Sequence, residues 1–125
     1  MENRRDPALL QNKSYAFAIR IVKMVQHLQD DKKEYILSKQ ALRSGTAIGA
    51  LIREAEFAQS TADYINKLSV SLKEANETDY WLNLLHDTKY IDDEAHNSID
   101  SDCRELIAIL VSSIKTLKKK IALPK

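Results

Sequence analysis

Only two glycines and two prolines punctuate this chain of 125 residues, and that scarcity constrains its fold more than any other feature. β-Sandwiches and barrels need turn residues every ten or so positions, and this chain does not supply them. Long helices joined by a few short connections do not need them. The rest of the composition agrees, because 30% of residues are charged and Ala, Leu, Ile, Lys, Glu and Ser abound. The length fits a single domain over 1–125, large enough for a real core without a disulfide or a metal.

Apolar periodicity divides the chain into four helices, at roughly 8–29, 34–58, 61–88 and 93–121. The first helix shows Tyr15, Ala18, Ile19, Val22, Val25 and Leu28, mostly in steps of three. It starts near Ala8 or Ser14, and Asp30-Asp31-Lys32-Lys33 forms the polar turn that follows. The second shows Ala41, Leu42, Gly45, Ile48, Gly49, Ile52 and Ala55. Both glycines of the chain lie on that face, four residues apart. A helical glycine costs about 1 kcal/mol relative to alanine. The pair at Gly45 and Gly49 therefore indicates close approach of a neighbouring helix, with a local kink as the alternative.

Ser60 or Thr61 caps the third helix, with Asp63 in its first turn favouring the dipole. One stripe carries Ile65, Leu68, Leu72, Ala75, Leu82 and Leu85, interrupted by Asp79. Asp92 caps the fourth helix. Its Ile99, Cys103, Leu106, Leu110, Ile114, Leu117 and Ile121 make an almost unbroken heptad pattern. Connections of a few residues force antiparallel neighbours. The expected fold is all-α: an up-down-up-down antiparallel four-helix bundle.

Several kinds of chemistry are missing. Carboxylate-bridged metal sites in bundles need paired Glu-x-x-His motifs. None of His27, His86 or His96 has a Glu three residues before it, and no two histidines have the spacing of a helical metal site. Cys103 lies on an apolar stripe and reads as core. The single cysteine excludes an internal disulfide and suits a reducing compartment. No phosphate-binding loop, dinucleotide fingerprint or nucleophile elbow occurs. Glu74 and Glu77 lack a second catalytic partner and read as ion-pairing residues. The expectation is a protein without catalysis, metal or cofactor. No apolar run approaches the length of a membrane span. The polar N-terminus lacks a signal core. A cytoplasmic location is the expectation.

A second stripe on the third helix carries Lys67, Val70, Glu74, Glu77 and Trp81. Trp anchors and charges that set register are features of oligomer interfaces. The alternative is that Trp81 seals the flank of the bundle. Net charge is +1, from 19 basic and 18 acidic residues, which argues against a strong global field for nucleic acid. Clustering of Arg43, Arg53, Lys118, Lys119 and Lys120 would be needed for phosphate contacts.

Two segments carry a family resemblance. Ser38-Lys39-Gln40-Ala41-Leu42-Arg43-Ser44-Gly45-Thr46-Ala47-Ile48-Gly49-Ala50 resembles the second-helix motif of bacterial four-helix-bundle proteins first noticed in intervening sequences of large-subunit rRNA genes. Ala62-Asp63-Tyr64-Ile65-Asn66-Lys67-Leu68 and Leu72-Lys73-Glu74-Ala75-Asn76-Glu77-Thr78-Asp79-Tyr80-Trp81-Leu82 resemble its third-helix motif. The resemblance implies a ring-like homopentamer. It also implies kinship with accessory proteins of diversity-generating retroelements, which bind nucleic acid and partner a reverse transcriptase. RNA, DNA and a protein client are thus implied partners. The near-neutral charge separates this chain from those strongly basic proteins, and Leu51 departs from the general family pattern, in which many members carry Asn in the second helix.

Overall fold

The computed structural model describes residues 2–122, with side chains from residue 8 onward. Four helices follow one another: α1 (Glu2–Asp30), α2 (Leu37–Ala55), α3 (Thr61–Asp87) and α4 (Asp93–Ala122). Each packs against its neighbours in sequence, and α4 closes back on α1, most sparsely of the four seams. This is the up-down-up-down bundle that the short connections imply. One end of the bundle gathers the C-termini of α1 and α3. The other gathers those of α2 and α4.

The core runs the length of the bundle, through Leu10, Phe17 and Ile21 of α1, Ile48 of α2, Leu68 and Leu82 of α3, and Leu106 and Leu110 of α4. A smaller cluster of Leu28, Ala41, Leu85 and Ile91 closes one end. The buried faces of α2, α3 and α4 follow the stripes read from the sequence, with Leu42, Gly49, Leu72 and Leu117 half-buried and Ile121 55% exposed.

Helix α1 departs from its expected face. Tyr15, Ile19 and Val22 are 64%, 42% and 37% exposed, while Leu10, Ser14, Phe17, Ile21, Val25 and Leu28 are buried. The reason is geometric. Steps of three drift about 60° per step around a helix of 3.6 residues per turn, so such a stripe winds from solvent into the core. The mixed steps of four and three from Leu10 to Leu28 hold one direction.

Local chemistry sets the boundaries. Ser60 Oγ accepts the Asp63 N–H at 3.0 Å, and Asp92 Oδ1 accepts the Ala95 N–H at 2.8 Å. Helix α2 starts three residues later than expected because Glu34 lies outside it as a cap. Its carboxylate accepts the N–H groups of Ile36, Leu37 and Ser38 at 3.2, 3.0 and 2.7 Å. Burial opposes the charge, but these backbone donors outweigh it and hold the carboxyl below its ordinary range.

Two lysines in the connections, Lys33 (φ 57°) and Lys89 (φ 73°), adopt the left-handed conformation. A side chain there costs about 1–2 kcal/mol, which glycine avoids. Lys89 ends α3 in a Schellman arrangement, with the Tyr90 N–H donating to Leu85 O at 2.9 Å.

The glycines lie on the α1–α2 seam. A Cβ on Gly45 would stand 2.9 Å from Ile21 Cγ1, and one on Gly49 would stand 3.1 Å from Ser14 Oγ. At Gly45 the backbone thus approaches α1 more closely than a methyl group allows, and at Gly49 a methyl group would fit only tightly.

Candidate interaction surfaces

The α2–α3 seam explains most of the second stripe on α3. Ser71 Oγ donates to Ile48 O at 2.9 Å, and the buried hydroxyls of Thr78 and Ser44 are 2.8 Å apart. Small polar side chains here let the two helices come close with their hydrogen bonds satisfied. Outside them runs a ladder of charge. Lys67 Nζ lies 3.4 Å from Glu54, and Arg43 forks between Glu74, at 3.1 Å, and Glu77. The Trp81 indole N–H donates to Glu77 at 2.9 Å. Trp81 and then Arg43 hold the Glu77 carboxyl below its usual range.

Lys67, Glu74, Glu77 and Trp81 are therefore brought together along one flank, with partners inside the same chain. Val70 lies half-buried among them. Trp81 packs against the smaller core cluster, so it seals the flank. Arg43 is engaged by two carboxylates and does not stand with the other candidate cations. Arg53, Lys118, Lys119 and Lys120 are exposed, at the end where α2 and α4 terminate.

An outward apolar stripe lies on α1. Tyr15, Ala18, Ile19 and Val22 line one shallow groove. Tyr15 and Ala18 line a second, with Thr46, Gly49, Ala50 and Arg53 of α2. These residues were visible in the sequence as an apolar stripe, but they read as core. That α1 carries two apolar faces was the missing signal.

The α3–α4 seam holds an unexpected polar group. Asp79 interrupts the stripe of α3 and meets Asp100, a residue of α4 that is 4% exposed. Asp79 Oδ1 and Asp100 Oδ1 are both buried and lack a hydrogen-bond donor while both carboxyls are ionised. The hydrogen bond to Asp100 that a proton on one carboxyl allows, and then the burial of Asp79, push its pKa up to about 6. Arg104 Nε holds the other oxygen of Asp100 at 2.9 Å. Asn83 links Asp79, at 3.4 Å, to His96 Nε2, at 2.8 Å. The His96 ring stacks on His86 with centroids 4.2 Å apart. Burial, then the neighbouring His86, lowers the His96 pKa.

Cys103 is fully buried, and its thiol donates to Ala75 O at 3.4 Å. Burial pushes it up to about 12, so it stays protonated and unreactive. Among the described residues no group of three His, Cys, Asp or Glu side chains could hold a metal ion. No helix among them is long and apolar enough to cross a membrane.

Residues 9–112 match the family described as 23S rRNA-intervening sequence protein. The chain is also similar to a crystal structure of a protein with unknown function from the S23 ribosomal protein family of Bacteroides thetaiotaomicron VPI-5482. The two share 54% sequence identity and superpose with a TM-score of 0.87, over 88% of this chain and 98% of that one. No curated protein matches. Neither description names an enzymatic activity.

Proposed function

The chain belongs to the 23S rRNA-intervening sequence protein family, and from that premise we propose that it is a non-enzymatic, homo-oligomeric scaffold. One observation carries the reading: α1 buries a complete stripe in its own bundle and still presents Tyr15, Ile19 and Val22 to solvent at helical spacing. A helix that served only its own core would need one apolar face. Exposed apolar stripes of this kind mark association surfaces. A closed ring needs two different, complementary patches on each subunit. We assign the second to the half-buried flank of α3 around Val70 and Trp81, with a pentamer favoured.

Light scattering on the purified protein tests this. An oligomer at micromolar concentration is expected, and Tyr15→Glu with Ile19→Glu should give a helical monomer. A monomeric native protein, or an oligomer unaffected by those changes, would remove the reading.

Nucleic-acid binding is the second reading. It is supported by the placement of Arg53, Lys118, Lys119 and Lys120 at one end of the bundle, where a ring would repeat them around its axis.

A further inference from the structure

At the end of the bundle where α1 and α3 terminate, the two connections leave a cleft of about 650 Å3. That volume lies within the range of small-ligand pockets. Its floor is apolar, formed by Met24, Tyr90 and Ile91. The same three residues belong to the smaller core cluster or pack against it, so the floor is held by the fold.

Three ammonium groups surround that floor: Lys23 from α1, Lys32 from the first connection and Lys89 from the second. None makes a direct ion pair with a described residue, in contrast to Lys13, Lys67 and Arg20, although the charge of Lys89 acts on Asp93 at longer range. The acids of the cleft are already engaged. Asp92 caps α4 through the Ala95 N–H, and Asp93 Oδ1 lies 2.6 Å from His86 Nε2. His27, also in the lining, is held 2.7 Å from Asp31. With three lysines against two aspartates, the lining keeps an excess of positive charge above an apolar surface.

The backbone supplies an independent observation. Lys89 occupies the left-handed position after α3 that favours glycine, and Lys33 repeats the choice in the other connection. At Lys89 the chain gives up backbone stability and gains an ammonium group at the rim of the cleft. Strain of this kind concentrates at ligand sites.

We propose that this cleft binds a small phosphorylated ligand with an apolar or aromatic body, of the size of a nucleoside monophosphate. The phosphate lies among Lys23, Lys32 and Lys89, and the body lies on Met24 and Tyr90. Ammonium groups recognise phosphate as point charges and do not read its geometry. The apolar floor therefore supplies the preference for a ligand with a body over inorganic phosphate. The same chemistry also occurs at the terminus of a nucleic-acid strand.

The test is thermal denaturation of the full-length protein at low salt, with adenosine 5′-monophosphate, adenosine and inorganic phosphate as separate probes. The monophosphate should raise the melting temperature by several degrees, in step with the logarithm of its concentration above the dissociation constant, and each fragment alone should raise it much less. Lys89→Gly is the informative variant. A purely structural role predicts only a higher melting temperature, because glycine relieves the left-handed strain. A ligand role predicts that rise together with binding about tenfold weaker. Lys23→Gln should weaken binding similarly with an unchanged melting temperature. A 5′-phosphorylated oligouridylate competing with the monophosphate would identify strand termini as the source. Failure to compete would identify a free nucleotide. No shift with the monophosphate at concentrations up to about 10 mM would overturn the proposal, that being beyond any useful affinity for so small a ligand. So would an undiminished shift in both lysine variants.

Discussion

Replacing Asp79 by Asn should stabilise this protein at neutral pH, and by an amount that depends on pH. Asp79 is raised from an ordinary 3.8 to about 6 by its hydrogen bond to Asp100 and by burial. A carboxyl raised in the folded state contributes no penalty below its unfolded pKa. As pH climbs through the interval from 3.8 to about 6, the unfolded chain releases the proton more readily than the folded one. Stability therefore falls across that window and levels off above it. A shift of about two units corresponds to at most about 3 kcal/mol. Asp79 is only half-buried, so solvent screening reduces this to about 1–2 kcal/mol. An asparagine amide keeps an acceptor for Asn83 and offers an N–H donor to Asp100 Oδ1, which has none at present.

Urea denaturation of both proteins between pH 4.5 and 7.5 reads the effect directly. The difference between them should be small at the acid end, grow through pH 6 and reach a plateau near pH 7. At the plateau the melting temperature of Asp79→Asn should be higher by about 4–8 °C for a domain of this size. The contribution of Glu34 is common to both proteins, so it cancels in the difference. A variant no more stable than the parent at pH 7, or a difference that does not change with pH, would show that the two carboxyls do not share a proton.

Three other outcomes follow from single contacts. Gly45→Ala should destabilise by about 1–2 kcal/mol in chemical denaturation, because the new methyl group meets fully buried Ile21 at 2.9 Å and helix propensity recovers only part of the cost. Gly49→Ala meets only the Ser14 hydroxyl and should be neutral or slightly stabilising, so equal effects at both sites would contradict the packing described. Glu34→Ala should cost about 2 kcal/mol by releasing three N–H groups at the start of α2. Because the folded pKa of Glu34 is depressed, its contribution is complete above 4.5 and should be lost as pH falls further, as acid denaturation of the parent and of Glu34→Gln would show. Finally, any binding of RNA or DNA should be weak and independent of sequence. It should be largely lost by about 0.2 M salt, and a gel-shift series should show a shallower salt slope when Lys118, Lys119 and Lys120 are changed to Gln. Tight binding that survives that salt would indicate a specific site elsewhere.

Which parts of this molecule were legible in its sequence depends on whether they are properties of one helix or of two. The caps Ser60 and Asp92, the heptad face of α4 and the close seam at Gly45 and Gly49 belong to single segments, and periodicity or local chemistry exposes them. The face of α1 was misread because two apolar stripes compete there, and only the steps of four and three from Leu10 to Leu28 follow a fixed direction. The polar groups are a different case. Asp79 meets Asp100, and Arg43 meets Glu74 and Glu77, only in one register between neighbouring helices. Nothing in one segment specifies that register.

Charge makes the consequence concrete. A net charge of +1 says little about partners, because it averages cations that are matched with cations that are not. Arg43, counted from the sequence among candidate phosphate ligands, is neutralised by α3, and Arg20 and Arg104 are matched by α4 acids. Lys23, Lys32 and Lys89 were unremarkable in the sequence, yet they converge where two connections meet. A lysine four residues from an acid on one helix can be paired on paper. Lysines on α1 and on the two connections gain a common neighbourhood only when α1 and α3 end at the same end of the bundle. The binding potential of a near-neutral bundle thus lies in the cations that helix pairing leaves unmatched, and these are set by the register of the bundle.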